Sequence, residues 1–164
     1  IFVTHDQAEA FSIADKVAVL HNGVLEQFDT PEDLYRQPRN ATVAAFLGFT
    51  NRIAGRLDPD GTWHCDHHSL ALALPPGQPR LKAILLIRPE GAAMAAASSP
   101  PDTAFLRLAG PVTAKLFQGG SYRISLLWHD HPLTFDLPID PPPPQVGEFI
   151  HLAVNRSALV LLDS

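Results

Sequence analysis

Three places in the sequence gather side chains able to do chemistry. His5 follows the apolar run Ile1-Phe2-Val3 and stands directly before Asp6-Gln7-Ala8-Glu9. His64-Cys65-Asp66-His67-His68 sets imidazoles, a thiol and a carboxylate side by side, and His129-Asp130-His131 is a smaller version of the same run. An imidazole changes charge near neutral pH, and imidazole with thiolate makes a good zinc site. Adjacent residues on an extended chain point in different directions, however, and no second ligand pair stands at zinc-site spacing. Both runs are therefore read as structural, the second as a hairpin turn between two β runs, and no metal site is expected. Taken alone, Thr4-His5-Asp6 reads as a strand-to-helix turn in which Asp6 caps the helix.

The elements that would position these residues change in texture along the chain. Asp6 with Glu9 has the form of a capping box, which predicts a short helix over residues 7–14 with Ala8 and Phe11 on one face. Residues 16–20 and 25–28 read as strands joined through Asn22-Gly23, because both turn residues tolerate positive φ. Thr30-Pro31-Glu32-Asp33 combines a hydroxyl cap, a proline at the first helical position and early acids, so a second helix starts there. Asn40 caps a third, over residues 41–47, ended by Gly48. From about Phe49 helical periodicity disappears. Strands are predicted near 52–57, 69–73, 81–88, 105–108, 112–117, 122–128, 133–137, 148–154 and 158–162. Asp58-Pro59-Asp60-Gly61, Pro75-Pro76-Gly77, Gln118-Gly119-Gly120 and Pro141–Pro144 punctuate them. Many short strands at this spacing indicate a small sandwich or barrel. Residues 91–102, rich in Ala, Ser and Pro, read as an exposed loop with room for one helical turn.

Composition narrows the function classes. The chain has 164 residues, 46% of them apolar, enough to bury a core. A net charge of −5, with 12 Lys and Arg against 17 Asp and Glu, argues against a nucleic-acid binder, which needs clustered cations. The single cysteine, Cys65, excludes an intramolecular disulfide and fits a reducing compartment. No apolar run approaches the roughly 20 residues that span a bilayer.

VTHDQAEA, IADKVAVLHNGVLEQFDTPEDLYRQP and VAAFLG, in that order and almost continuous from Phe2 to Gly48, resemble the C-terminal end of an ABC-transporter ATPase domain. The resemblance is to ATPases of binding-protein-dependent importers, the group serving ferric iron, polyamines, sulfate, molybdate and sugars. It implies that His5 is the switch, or H-loop, histidine, placed at a strand end to hydrogen-bond the ATP γ-phosphate. The residue suits that role, since an imidazole donates to a phosphate oxygen at physiological pH and ligands of α/β sheets gather beyond the strand ends. The resemblance also gives Asp6 a contact with a partner subunit. Asp29 departs from the family, which more commonly has glycine there.

The phosphate-cradling G-x-x-x-x-G-K-[ST] loop, the metal-binding aspartate, the ABC signature and the Q-loop are all missing from these 164 residues. With no initiator methionine and these elements lying upstream in the family, the sequence is expected to be the C-terminal portion of a longer protein. The parent is expected to use ATP and Mg2+ and to be an ATP hydrolase coupled to transport; the fragment is expected to be inactive and to hold no cofactor.

Ile87-Arg88-Pro89-Glu90, Gly110-Pro111-Val112, Phe117-Gln118-Gly119-Gly120-Ser121-Tyr122, Gly147-Glu148-Phe149-Ile150 and a closing strand at 158–162 look like TOBE, an OB-type regulatory barrel that follows the ATPase domain of these importers. The expected fold is thus an α+β remnant of a P-loop ATPase domain over 1–48, followed by an all-β OB-type barrel over 49–164. Apolar alternation at Val112, Ala114, Leu116 and at Tyr122, Ile124, Leu126 gives each of those strands one core face. Phe117 and Tyr122 are expected to pack across their turn, Pro141–Pro144 to be a stiff connector, and Arg88 to pair with Glu90. The resemblance implies a homodimer, permease subunits as partners, no nucleic acid, and a peripheral place on the cytoplasmic face of the cell membrane. The general likeness leans toward ferric iron or polyamine as cargo. The alternative is a module binding a small oxyanion through Ser121, Ser125 and Lys115; an oligonucleotide-binding barrel is disfavoured by charge. Ile1–Val3, without neighbouring strands, is expected to present an unpaired edge.

Overall fold

The structure, a computed structural model, describes residues 1–66, 68–72, 79–98 and 104–163. The predicted Pro75-Pro76-Gly77 turn, His67, Ala73 and the end of the 91–102 loop lie outside the described residues.

The first third of the chain follows its local signals closely. Helix α1 (Gln7–Ile13) begins at Asp6, whose carboxylate accepts from the Glu9 amide at 3.1 Å. The reciprocal half of the box differs from expectation. Glu9 accepts from the Thr4 hydroxyl at 2.8 Å, and Thr4 in turn accepts the Asp6 amide at 3.0 Å. The nearer threonine oxygen has displaced the longer glutamate side chain from that amide. Strands β1 (Val17–His21) and β2 (Val24–Asp29) form an antiparallel hairpin in which Asn22 and Gly23 have φ of 50° and 78°. Positive φ at both turn positions is what the right-handed twist of a two-residue hairpin demands. Helix α2 (Pro31–Arg36) is capped by Thr30 and α3 (Ala41–Phe46) by Asn40, whose side chains accept from Asp33 and Val43 amides.

Ile1, Phe2 and Val3 form no strand, and Phe2 remains 62% exposed. β-forming residues make a strand only when a neighbour supplies the ladder, and no described strand lies beside them.

Beyond residue 50 the chain is almost entirely β. Strands β3 (Arg52–Leu57), β4 (Thr62–Cys65), β5 (His68–Ala71), β6 (Arg80–Ile87), β7 (Ala92–Met94), β8 (Phe105–Phe117), β9 (Ser121–Trp128), β10 (His131–Pro138), β11 (Phe149–Asn155) and β12 (Leu159–Asp163) form two curled five-stranded sheets. Their orders are β12-β6-β3-β4-β5 and β10-β9-β8-β11-β7. Both contribute to one core, in which Trp63, Leu85, Ile124, Leu126, Phe135 and Leu152 are fully enclosed. The outward alternation along β9, β10 and β11 matches the period of two expected of half-buried strands.

The two predicted strands at 105–108 and 112–117 are one strand, β8. Gly110-Pro111 reads as a break, yet here it is a change of partner. Phe105–Pro111 pairs with β11 and Val112–Phe117 with β9, with a register shift between Val112 and Ala114. A side chain at Gly110 would meet the Leu127 carbonyl oxygen at 2.1 Å, so only glycine lets β8 cross so close to β9. Strand β7 falls within the expected 91–102 loop, preceded by a 3-10 turn at Pro89–Gly91, and pairs with β11. Strand β4 was hidden by the His64–His68 run.

A second core joins the two regions. Val19, Leu34, Val43, Ala44, Leu47 and Phe49 pack with Leu86 and Leu162 on the outer side of the β6–β12 pair. Tyr35 meets Phe49 edge-on with ring centroids 5.0 Å apart.

Candidate functional site

His5 sits one residue before the α1 cap, exposed, and among the described residues nothing hydrogen-bonds its imidazole. Its neighbours Thr4 and Asp6 are both committed to capping α1, which fixes the backbone around it. Gln7 on the first turn donates to the Phe46 carbonyl, tying α1 to the end of α3. A groove of about 840 Å³ runs beside this region, lined by Phe2, Phe11, Ile13, Val17, Phe28 and Phe46 among others. Helix α1 has no buried residue, and Ile13, Leu20, Val24, Leu25 and Phe28 are all largely exposed. This face is apolar and uncovered.

The interior of the first region is held by a polar knot. Gln27, buried on β2, donates to the Gln37 carbonyl at 3.0 Å and to Asp29 at 2.9 Å, and accepts the Arg39 amide at 2.8 Å. Asp29, the departure from the family noted above, thereby becomes a partner of Gln27. Asn40 spans the same turn, donating to Glu26 while it caps α3.

A cleft of about 1150 Å³ separates α2 from β12 and the turn after β6. Tyr35 on α2 donates its hydroxyl to Glu90 at 3.1 Å across it. Glu90 is also 3.6 Å from Arg88, and Arg88 donates to the Ser157 carbonyl at 2.6 Å. The expected Arg88–Glu90 pair is therefore present, as an ion contact longer than a hydrogen bond. Partial burial, then the charge and hydrogen bond of Glu90, push the Tyr35 hydroxyl up to about 12, against an opposing pull from Arg88. The tyrosine stays a donor throughout the physiological range. Sequence reasoning missed this tie, since a tyrosine in a helix and a glutamate 55 residues later carry no local signal.

The two histidine runs meet, through His68 and His129. His64 binds Asp58 at 2.8 Å and Ser69 at 2.9 Å, a local contact of the β3–β4–β5 sheet. Cys65 is buried, and burial first, then Asp66, push its thiol up. His129 and Asp130 form the two-residue turn between β9 and β10, as expected. The His129 ring stacks on His68 from the other sheet, with centroids 3.4 Å apart and planes 14° from parallel. Parallel rings direct their in-plane lone pairs past one another, so they do not converge on a cation. Among the described residues no group of three or more His, Cys, Asp or Glu is placed to hold a metal.

Of the three residues suggested for an oxyanion, Ser121 opens β9, and Lys115 and Ser125 have other partners. Lys115 donates to the Pro143 carbonyl at 2.6 Å and lies over the Tyr122 ring at 4.8 Å; Ser125 pairs with the Thr134 hydroxyl at 3.0 Å. Phe117 and Tyr122 do pack across their turn, at 5.2 Å, but Phe117 is more than half exposed and belongs to the surface rather than the core. Residues 141–144 connect β10 to β11, and Pro143 serves as the acceptor for Lys115.

No family model matches the chain. Among curated proteins it is 34% identical over 173 residues to the sn-glycerol-3-phosphate import ATP-binding protein UgpC of Pectobacterium atrosepticum, covering all of this chain and 45% of that protein. It is 40% identical over 90 residues to the spermidine/putrescine import ATP-binding protein PotA of Aster yellows witches'-broom phytoplasma, covering 55% of this chain and 22% of that one. The chain thus spans less than half the length of these relatives. Among solved structures, the cytoplasmic molybdate-binding protein ModG with molybdate bound superposes with a TM-score of 0.50 at 13% identity, over 68% of this chain and 94% of ModG. That likeness is one of fold, and it places the curled sheets among TOBE-like OB domains. Identity of 34% along the whole chain makes it a member of the family of ABC-importer ATP-binding subunits.

Proposed function

We infer that this chain is the C-terminal portion of the ATP-hydrolysing subunit of an ABC importer. Residues 1–48 form the end of its ATPase domain and residues 49–164 its TOBE regulatory domain. The observation that carries the reading is the uncovered apolar face of α1 and the β1–β2 hairpin, beside His5. A helix and hairpin that bury nothing on one side are what remains visible of a layer whose partner lies elsewhere.

The nucleotide itself is not accommodated by this chain alone. His5 offers one exposed hydrogen-bond donor, the sequence holds no phosphate-cradling loop motif, and among the described residues no group of three or more His, Cys, Asp or Glu is placed to hold a metal. ATP and Mg2+ belong to the parent, and the chain by itself is inactive as a hydrolase. In the parent, His5 is the switch histidine, set between Thr4 and Asp6, whose side chains cap α1. The second core and the Tyr35–Glu90 tie then couple that end of the ATPase domain to the regulatory sheets. The parent works as a homodimer with permease subunits, at the cytoplasmic face of the membrane. Specificity for cargo lies in other subunits, and the relatives' names, which range from polyamines to glycerol phosphate, accord with that division.

The alternative, a small-oxyanion module, draws on the ModG fold, but Lys115 and Ser125 are engaged by Pro143 and Thr134. Calorimetry with molybdate, tungstate and sulfate on this chain decides between them: no heat is expected, and stoichiometric binding would favour the module. The leading reading is tested by ATP turnover of the parent with His5 replaced, as set out at the end of the Discussion.

A further inference from the structure

The two sheets meet at their turns through a cluster of rings. His68 opens β5, at the end of one sheet; His129 lies in the β9–β10 turn of the other. Their near-parallel imidazoles, 3.4 Å apart, are flanked by Trp128, whose ring is 4.7 Å from His129 and 5.9 Å from His68. His131 also stacks on Trp128, at 5.8 Å, and its Nε2 lies 3.2 Å from the Asp66 carboxylate in the β4–β5 turn. Asp66 and His129 both hold positive φ, 47° and 51°, so each turn presents its side chain from a constrained backbone.

We propose that the His68–His129 stack is a proton-sensitive latch, holding the β4–β5 hairpin against the β9–β10 turn when both rings are neutral and releasing it when both are charged. Neutral imidazoles gain from ring contact. Two imidazolium ions at this separation repel, and although His129 is exposed, the spacing is far inside the ~10 Å screening length of 0.1 M salt. The groups facing His129 are His68 from β5, Asp130 and His131 from its own hairpin, and Arg107 and His151 across a cleft of about 430 Å³ on the β8–β11 face. Of these only Asp130 favours its charged form. Partial removal from water first, then the charge of His68 and more weakly that of His131, hold His129 below its ordinary value. The neutral stack therefore contributes fully above the ordinary histidine value of about 6.5 and is lost as pH falls through the lower folded value. Acidification thus frees the β5 side of the hairpin. The freed strand, β5, is the end of its sheet, whose outer edge then loses its closest ring contact with the other sheet.

Nuclear magnetic resonance titration of the whole chain from pH 8 to 5 tests this, following histidine ring and backbone amide shifts together. The amides of Thr62–Cys65 and His68–Ala71 are expected to move with the midpoint of the His129 ring, and to lose that transition in His129→Asn, which keeps a residue tolerant of positive φ. His68→Asn is a second variant, removing the other ring; it is expected to abolish the same amide transition and to raise the His129 midpoint toward its ordinary value. Hairpin amides that stay still while His129 titrates in the native chain would overturn the latch, and so would a transition that persists unchanged in both variants.

Discussion

Asn51 reaches 83 residues along the chain to act as a strand partner for Thr134. Its side-chain amide donates to the Thr134 carbonyl and its oxygen accepts the Thr134 amide, both at 2.6 Å, and the residue is only 2% exposed. Strand β10 is the end of its sheet, so one asparagine supplies the pairing that a further strand would give. The Asn51 carbonyl meanwhile accepts the Ile87 amide, so the residue stitches the exit of the first region to both sheets. Asn51→Ala leaves two backbone groups without these partners, and a loss of about 2–4 kcal/mol in urea unfolding is expected. A loss below about 0.5 kcal/mol would mean that the bridge contributes nothing net.

Tyr35 makes a prediction at alkaline pH. Its folded value, about 12, stands above the ordinary 10, so the folded state retains the proton longer than the unfolded one. The tyrosine's contribution is therefore fully present below pH 10 and declines between pH 10 and 12 as the unfolded chain ionises first. Tyr35→Phe should unfold with a shallower pH dependence across that window than the native chain. Parallel curves would show that the Glu90 contact is not maintained in solution.

At Gly110 the constraint is steric. An added methyl would lie 2.1 Å from the Leu127 carbonyl oxygen, so β8 and β9 must part for Gly110→Ala to fold. We expect a cost of about 3 kcal/mol or more, within the range of severe single substitutions. Gly120→Ala, where nothing lies within 4 Å, is the control and should change stability by no more than about 0.5 kcal/mol.

How much of this was legible beforehand follows the range of each interaction. The Asp6, Thr30 and Asn40 caps and the Asn22-Gly23 turn are written within three or four residues, and all stand where the pattern places them. Strands β3, β6, β9, β10, β11 and β12 follow from short β-forming runs bounded by turn residues. The misses have physical causes. Gly110-Pro111 looks like a strand end because the close crossing that requires the glycine comes from β9, and β7 is a strand only because β11 supplies its ladder. Ile1–Val3 fails for the converse reason: strand-forming residues without a neighbour. Around the candidate site, the Thr4 and Asp6 caps that flank His5 lie within local reach of one another, whereas the Tyr35–Glu90 tie and the His68–His129 stack are products of tertiary contact and leave no trace in spacing.

Cys65 should be a poor nucleophile in the folded chain. It is buried, and its thiol is pushed up by that burial and by Asp66, so the reactive thiolate is scarce at neutral pH. A disulfide reagent is expected to label it at least about tenfold more slowly in buffer than in denaturant at the same pH. Equal rates would place the β4 strand in an open state.

The most direct test of the account uses the full-length parent, with ATP turnover and nucleotide binding measured for the native protein and for the variant carrying His5→Ala. Turnover is expected to collapse, by about a hundredfold or more, while ATP binding and the stability of the fold are retained, because His5 is exposed, does not cap α1 and makes no hydrogen bond among the described residues. Turnover that is unchanged in a variant that still binds ATP would contradict it, leaving His5 as a turn residue before α1 and the switch role without a bearer in this chain.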